Sequence, residues 1–143
     1  MAGMNVKRLL VAGAVAGVVM NVVDFVANYF TGASLYRDLM AVNPALWENM
    51  NQPGRLPAYL LIDFILAFVI VWFYAAIRPR YGAGPATALR AAAAIWLFGA
   101  AQWYLFVLMG LLSHATFGIG SLVSAVNFAA TALIGGKLYR EAD

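Results

Sequence analysis

The fold is decided by the stretch AAAAIWLFGAAQWYLFVLMGLL, residues 91–112, which contains no charged side chain. An α-helix rises about 1.5 Å per residue, so about 20 apolar residues cross a hydrocarbon core roughly 30 Å thick. Similar apolar stretches occupy residues 9–29, 58–77 and 117–138. Their apolar character is continuous, whereas the strands of a membrane β-barrel alternate. The sequence therefore predicts four transmembrane helices.

The composition of the whole chain agrees with this prediction. Of the 143 residues, 64% are hydrophobic and 10% are charged, and the mean hydropathy is +0.82. A soluble domain carries roughly 25% charged residues, and disordered segments are polar, so both classes are excluded. The length suits one domain. We predict a single all-α domain over residues 1–143, an integral membrane four-helix bundle.

The basic residues are distributed unevenly around the four spans. Seven of the nine lie before the first span, between the second and third, or after the fourth. They are Lys7, Arg8, Arg78, Arg80, Arg90, Lys137 and Arg140. The other side has only Arg37 and Arg55. Because cytoplasmic flanks are enriched in Lys and Arg, we predict that both termini lie in the cytoplasm. The net charge of +3 is then a topology signal and does not indicate nucleic-acid binding.

Residues 30–57 form the one long loop, on the predicted outer side. Asn43-Pro44 is typical of a helix start, since Asn caps a helix N-terminus and Pro suits the first turn. We predict two short amphipathic helices that lie in the outer interface as a cap. Such a cap either covers the bundle or docks a partner. The apolar side chains expected on its interacting face are Leu35, Leu39, Leu46 and Trp47.

Polar side chains recur deep within the predicted spans. Measured by the helical rise, they fall between the midplane and the outer third of the bilayer. They are Asn21, Asp24, Asp63, Gln102 and Asn127, and we expect them to form one polar layer inside the bundle. Each carboxylate costs roughly 2.5–3.5 kcal/mol at a helix centre. Two adjacent carboxylates repel, so we expect at least one to be neutral at pH 7 or the pair to share a proton.

This layer has two interpretations. Buried amides, hydroxyls and neutral acids often serve only as hydrogen bonds between helices. Intramembrane acids are also typical of proton-binding or solute-binding sites.

Small residues at helical spacing predict close contacts between the helices. Gly13 and Gly17 form a small-xxx-small pair, which lets another backbone approach closely. The residues expected in such contacts are Gly13, Gly17, Gly99, Ser124, Thr131 and Gly135. Trp96 and Trp103 share one face of the third span. They suit packing, or contact with a bound lipid, quinone or carotenoid.

Most catalytic chemistry lacks its residue types in this chain. There is no Cys and a single His, which excludes thiolate metal sites and paired imidazole ligands. His114, beside Ser113, lacks the further groups that a hydrolase triad requires. We predict no catalytic residue, no metal site, no cofactor and no enzymatic activity.

The run WFYAAIRPRYGAGP, residues 72–85, follows a glycine-rich first span that ends in Asp and Asn. With this pattern the chain resembles small four-span bacterial membrane proteins of unknown function. The resemblance implies a bacterial inner (cytoplasmic) membrane and carries no activity.

Two functional hypotheses follow. The leading one is a non-catalytic accessory or scaffold subunit that packs within a larger membrane complex, with a respiratory or photosynthetic complex as a natural host. Its partners are membrane lipids and other integral membrane subunits. The alternative is a small proton-linked carrier or channel that assembles as a homo-oligomer. In that case Asp24 and Asp63 bind the proton, while Asn21, Gln102 and Asn127 hold solute or water.

Overall fold

The computed structural model describes residues 4–141 of the predicted domain, and residues 1–3 and 142–143 lie outside this range. Within it the chain forms five α-helices and a short 3-10 turn at Pro53–Arg55, and no strand. The helices are α1 (Val6–Val42), α2 (Pro44–Met50), α3 (Leu56–Tyr81), α4 (Pro85–Leu108) and α5 (His114–Leu138). The prediction of an all-α chain is confirmed. Four of the described helices, α1, α3, α4 and α5, are long and apolar enough to cross a membrane.

Helix α1 extends well beyond its predicted end. The sequence predicts a loop after Tyr29, whereas α1 continues without a break to Val42 and contains 37 residues. A single glycine costs a helix only about 1 kcal/mol, so Gly32 does not end it. The Thr31 hydroxyl donates to the Ala27 carbonyl at 3.1 Å, a bond within the helix rather than a cap. The first of the two predicted cap helices is therefore the last part of α1, and Leu35 and Leu39 belong to it.

Helix α2 begins where the sequence predicts. The Asn43 side chain accepts a hydrogen bond from the Ala45 N–H at 3.0 Å, and Pro44 occupies the first helical position. Pro has no N–H to satisfy there, which is why it is tolerated. The helix folds back onto α1, where the rings of Tyr36 and Trp47 meet edge to face at 5.1 Å.

The connection between α4 and α5 is tied to the extension of α1. Helix α4 ends at Leu108 rather than at residue 112, because Gly110 adopts a left-handed conformation with φ of 75°. Helix α5 then begins earlier than predicted, with Ser113 as its N-cap. The Asp38 carboxylate accepts hydrogen bonds from the Ser113 N–H at 2.7 Å and from its hydroxyl at 2.8 Å. A negative charge at a helix N-terminus is favourable, so this contact stabilises both segments.

Small residues bring the long helices together. Helix α1 packs against α3 and α5, and α4 packs against α5 and α3. Gly13 and Gly17 lie directly under the rings of Phe68 and Phe64 of α3. In the same way, the Val71 side chain of α3 covers Gly135 of α5. In contrast, the space beside Gly99 is open, with no atom of the described chain within 4 Å of an added Cβ.

The contact beneath Phe64 predicts a specific sensitivity to substitution. A Cβ atom at residue 17 would collide with this ring, so we expect Gly17→Ala to lower the free energy of unfolding by about 1–3 kcal/mol. Denaturation of the purified protein in detergent measures this loss. Gly118→Ala is the matched control, since its Cβ meets open space and alanine favours a helix by about 1 kcal/mol over glycine. An equal decrease in the free energy of unfolding in both variants would contradict a stabilising role for the contact of Gly17 with Phe64.

Candidate functional site

Two acidic side chains meet at the interface of α1 and α3. Asp24 of α1 and Asp63 of α3 are each partly buried, and their carboxyl groups interact directly. The pairing follows from the local packing. The glycines of α1 let α3 approach closely, and the two helices are antiparallel, with Gly13 against Phe68 and Gly17 against Phe64. Helical side chains lean toward the N-terminus of their own helix, so Asp24 and Asp63 lean toward each other along this interface.

Asn127 of α5 joins this pair and is completely buried. Its amide nitrogen donates to the Asp24 carboxylate at 2.6 Å and to the Met20 carbonyl at 3.2 Å. Its oxygen accepts a hydrogen bond from the Thr131 hydroxyl at 3.3 Å. Both donors and the acceptor of the amide are therefore engaged. Asn127 therefore positions Asp24, and its hydrogen bonds connect α5 to α1.

Asn21 lies one turn from Asp24 on the same helix. Its amide nitrogen donates to the Gly17 carbonyl at 2.9 Å. Its side-chain oxygen is buried and has no hydrogen-bond partner among residues 4–141. A buried acceptor without a donor costs about 1–3 kcal/mol. A donor from a solute or a water molecule would remove this cost.

These groups line a cavity of about 780 Å³ between α1, α2, α3, α4 and α5. Its polar lining includes Asn21, Asp24, Asn28, Thr31, Asp63, Thr116 and Ser124, together with the Asn51-Gln52 segment after α2. Trp47, Tyr59 and Trp103 add aromatic surface. Within the described part of the chain, neither Lys nor Arg lines it. The cavity lining therefore combines two acidic side chains with aromatic rings. Both kinds of group attract a cation.

Two contacts position the aromatic side chains Trp103 and Tyr59 in the cavity lining, and the sequence pattern did not reveal them. Trp103 covers Gly120 of α5, where a larger residue would displace its ring. The Tyr59 hydroxyl donates to the Met50 carbonyl at 2.9 Å and holds the start of α3 against the end of α2. Neither contact has a signal in sequence spacing, because each depends on how two distant segments meet.

Gln102 lies apart from the other four residues of the predicted polar layer. Three helical turns separate it from Ala91, which is on the same face of α4 and is fully buried, yet Gln102 is exposed. At this level α4 still contacts α5 through Trp103 and Tyr104, and Gln102 lies on a face of α4 that these contacts leave exposed. Among residues 4–141 its amide has no hydrogen-bond partner.

The other residues that the sequence singled out lie at different points along α4 and α5. Thr131 is buried on the Asn127 oxygen, and the Ser124 hydroxyl donates to the Ser121 carbonyl at 3.0 Å. His114 begins α5 beside the Tyr104 ring, away from the acid pair. Trp96 donates to the Ser121 carbonyl at 2.9 Å and so packs α4 on α5.

No family model, no curated protein and no solved structure matches this chain.

The bonds of Asn127 predict a large difference between two amides of this protein. Replacing Asn127 with Leu leaves Asp24 and the Met20 carbonyl without their donor. We therefore expect a loss of about 1–2 kcal/mol of stability in detergent. Gln102→Leu is the matched control, because it removes an exposed amide without a partner in the described chain. An equal loss in both variants would contradict the supporting role of Asn127.

Proposed function

We propose that the protein is a small proton-linked carrier, with Asp24 and Asp63 as its proton-binding groups. The observation that carries the proposal is the direct contact of these carboxyl groups in the wall of a cavity of about 780 Å³. Two ionised carboxylates in contact repel each other in a low-dielectric environment. A proton or a cation between them removes the repulsion, so the pair is suited to bind either one.

The lining of the cavity indicates the class of solute. The acid pair and the free oxygen of Asn21 supply acceptors, and an ammonium group supplies matching charge and donors. Trp47, Tyr59 and Trp103 offer ring faces, which attract cations and cover apolar groups. We therefore propose a small organic cation with an apolar body as the solute.

The same geometry explains how proton and solute movement would be linked. Both need the same two carboxyl groups, so binding of one displaces the other. This competition makes the exchange of a proton for a cation the simplest transport reaction for the site. It requires no catalytic residue and no cofactor.

The distribution of charge supports a setting for this carrier. In the proposal both termini and the turn between α3 and α4 face the cytoplasm, since seven of the nine basic residues flank the spans on that side. Helix α2 and the last part of α1 then cap the outer side, where the acidic cavity lies. The resemblance of residues 72–85 to small bacterial membrane proteins supports the bacterial inner membrane.

A second candidate function is an accessory subunit of a larger membrane complex, and the exposed end of α4 favours it. Gln102 presents an amide without a partner in the described chain, and the space beside Gly99 is open. An amide in an apolar environment gains when a neighbouring helix supplies its partner, and a glycine lets that helix come close. This face of α4 therefore suits a helix of another membrane subunit.

The carrier proposal predicts the loss of exchange when either acid is neutralised. We expect Asp24→Asn and Asp63→Asn to reduce proton-driven uptake of ethidium into proteoliposomes to the level of protein-free liposomes. In detergent, tetraphenylphosphonium should release protons from the wild type and from neither variant. Glu48→Gln is the control, because Glu48 is exposed on α2 and outside the cavity lining. Proton release by the Asp variants, or none by the wild type, would refute the proposal.

The accessory-subunit proposal predicts a different sensitivity. Native membranes solubilised in a mild detergent should yield the protein in a larger complex, and Gln102→Leu should release it as a species of 15.4 kDa. Asn49→Leu, an exposed amide on α2, should leave the complex intact. Migration of the wild type without partners would exclude this function.

A further inference from the structure

A second cavity lies at the end of the bundle where α3 ends, α4 begins and α5 ends. Its volume is about 480 Å³, and its lining includes three basic side chains, Arg78, Lys137 and Arg140. It shares no lining residue with the acidic cavity. The two sites are therefore separate and differ in charge.

Two buried tyrosines that pack against each other line this basic cavity. Tyr74 and Tyr139 are 2% and 3% exposed, and their rings meet edge to face with centroids 6.3 Å apart. The Tyr74 hydroxyl accepts a hydrogen bond from the Gly84 N–H at 3.3 Å, and the Tyr139 hydroxyl accepts one from the Asn5 N–H at 3.2 Å. These bonds tie the start of α1 and the turn before α4 to the two tyrosines.

Arg78 enters the cavity with unused hydrogen-bonding capacity. One terminal nitrogen of its guanidinium is buried and has no hydrogen-bond partner among residues 4–141. This nitrogen is 3.7 Å from the Glu141 carboxylate, close enough for an ion pair but too far for a hydrogen bond. The guanidinium carbon lies 5.8 Å from the centre of the Tyr139 ring. A guanidinium held in this way is suited to a ligand with two acceptor oxygens, such as a phosphate.

The start of α4 lies in the same place and adds the positive end of its helix dipole, while Pro85 has no N–H and the Gly84 N–H donates to Tyr74. Gly84 and Pro85 line the cavity, and no side chain caps this helix N-terminus. The first N–H groups of a helix carry partial positive charge and attract anions. The helix dipole and the Arg78 guanidinium, whose buried nitrogen has no hydrogen bond among residues 4–141, thus favour the same kind of ligand.

We propose that this cavity binds the phosphate group of an anionic phospholipid. Phosphate chemistry is shared by a lipid headgroup and by a free phosphate ion, and the rest of the lining favours the lipid. Ala83, Ala88 and Leu133 provide apolar surface beside the basic groups, which suits a molecule with a charged head and an apolar chain. Basic pockets between transmembrane helices at the membrane surface are typical sites for anionic headgroups.

Native mass spectrometry of the full-length protein in detergent tests the proposal. We expect phosphatidylglycerol to bind more tightly than phosphatidylcholine, and added salt to reduce the difference. Arg78→Gln and Lys137→Gln should each weaken phosphatidylglycerol binding by about fivefold, the effect of one basic group near a membrane surface. Arg80→Gln is the matched control. It removes the same charge two residues away, from an exposed side chain outside the cavity lining.

Several outcomes would overturn the proposal. Equal binding of the two lipids would do so, as would an equal effect of Arg80→Gln and Arg78→Gln. Displacement of the lipid by inorganic phosphate, with the same dependence on Arg78, would show that the occupant is a free ion. If Arg78→Gln fails to fold, the exposed Lys137 still carries the test.

Discussion

The close approach of α1 to α3 and α5 is the contact on which the rest of the structure depends. Lipid tails are as apolar as the helix surfaces, so helices in a membrane associate through close packing and hydrogen bonds rather than through burial from water. Gly17 beneath Phe64, and Gly135 beneath Val71, allow this approach. It also brings the Asp24 carboxyl group to that of Asp63 and within reach of Asn127. The apolar packing and the polar site are therefore two results of one helix arrangement.

The bundle carries an acidic cavity towards one end and a basic cavity at the other. The acidic cavity lies where α2 folds back onto α1, and the basic cavity lies at the end where the buried tyrosines pack together. One small chain thus has a closely packed end and an end with a larger cavity. The contact of Asp38 with Ser113 joins the extension of α1 to the start of α5 at the end with the larger cavity.

Segments that follow local rules were predictable, and segments that depend on distant contacts were not. The helical spans follow from hydropathy, and the start of α2 follows from Asn43 and Pro44, whose effects reach only a few residues. The end of α1 was predicted too early because hydropathy falls after Tyr29 while the helix continues. Gln102 was expected in the polar layer from its depth alone. Depth is a property of one helix, whereas the neighbours of a side chain depend on which face of that helix the other helices cover.

The sequence by itself determined an all-helical chain with four segments able to cross a membrane, because chain length and hydropathy decide which segments hydrocarbon accepts. It also determined which acids and amides those segments carry. Only the tertiary structure decided that Asp24, Asp63 and Asn127 meet while Gln102 does not, and that Arg78 lines a cavity with the start of α4. The physical reason is that side-chain contacts between helices are set by helix rotation, tilt and separation. These depend on the packing of all the helices together.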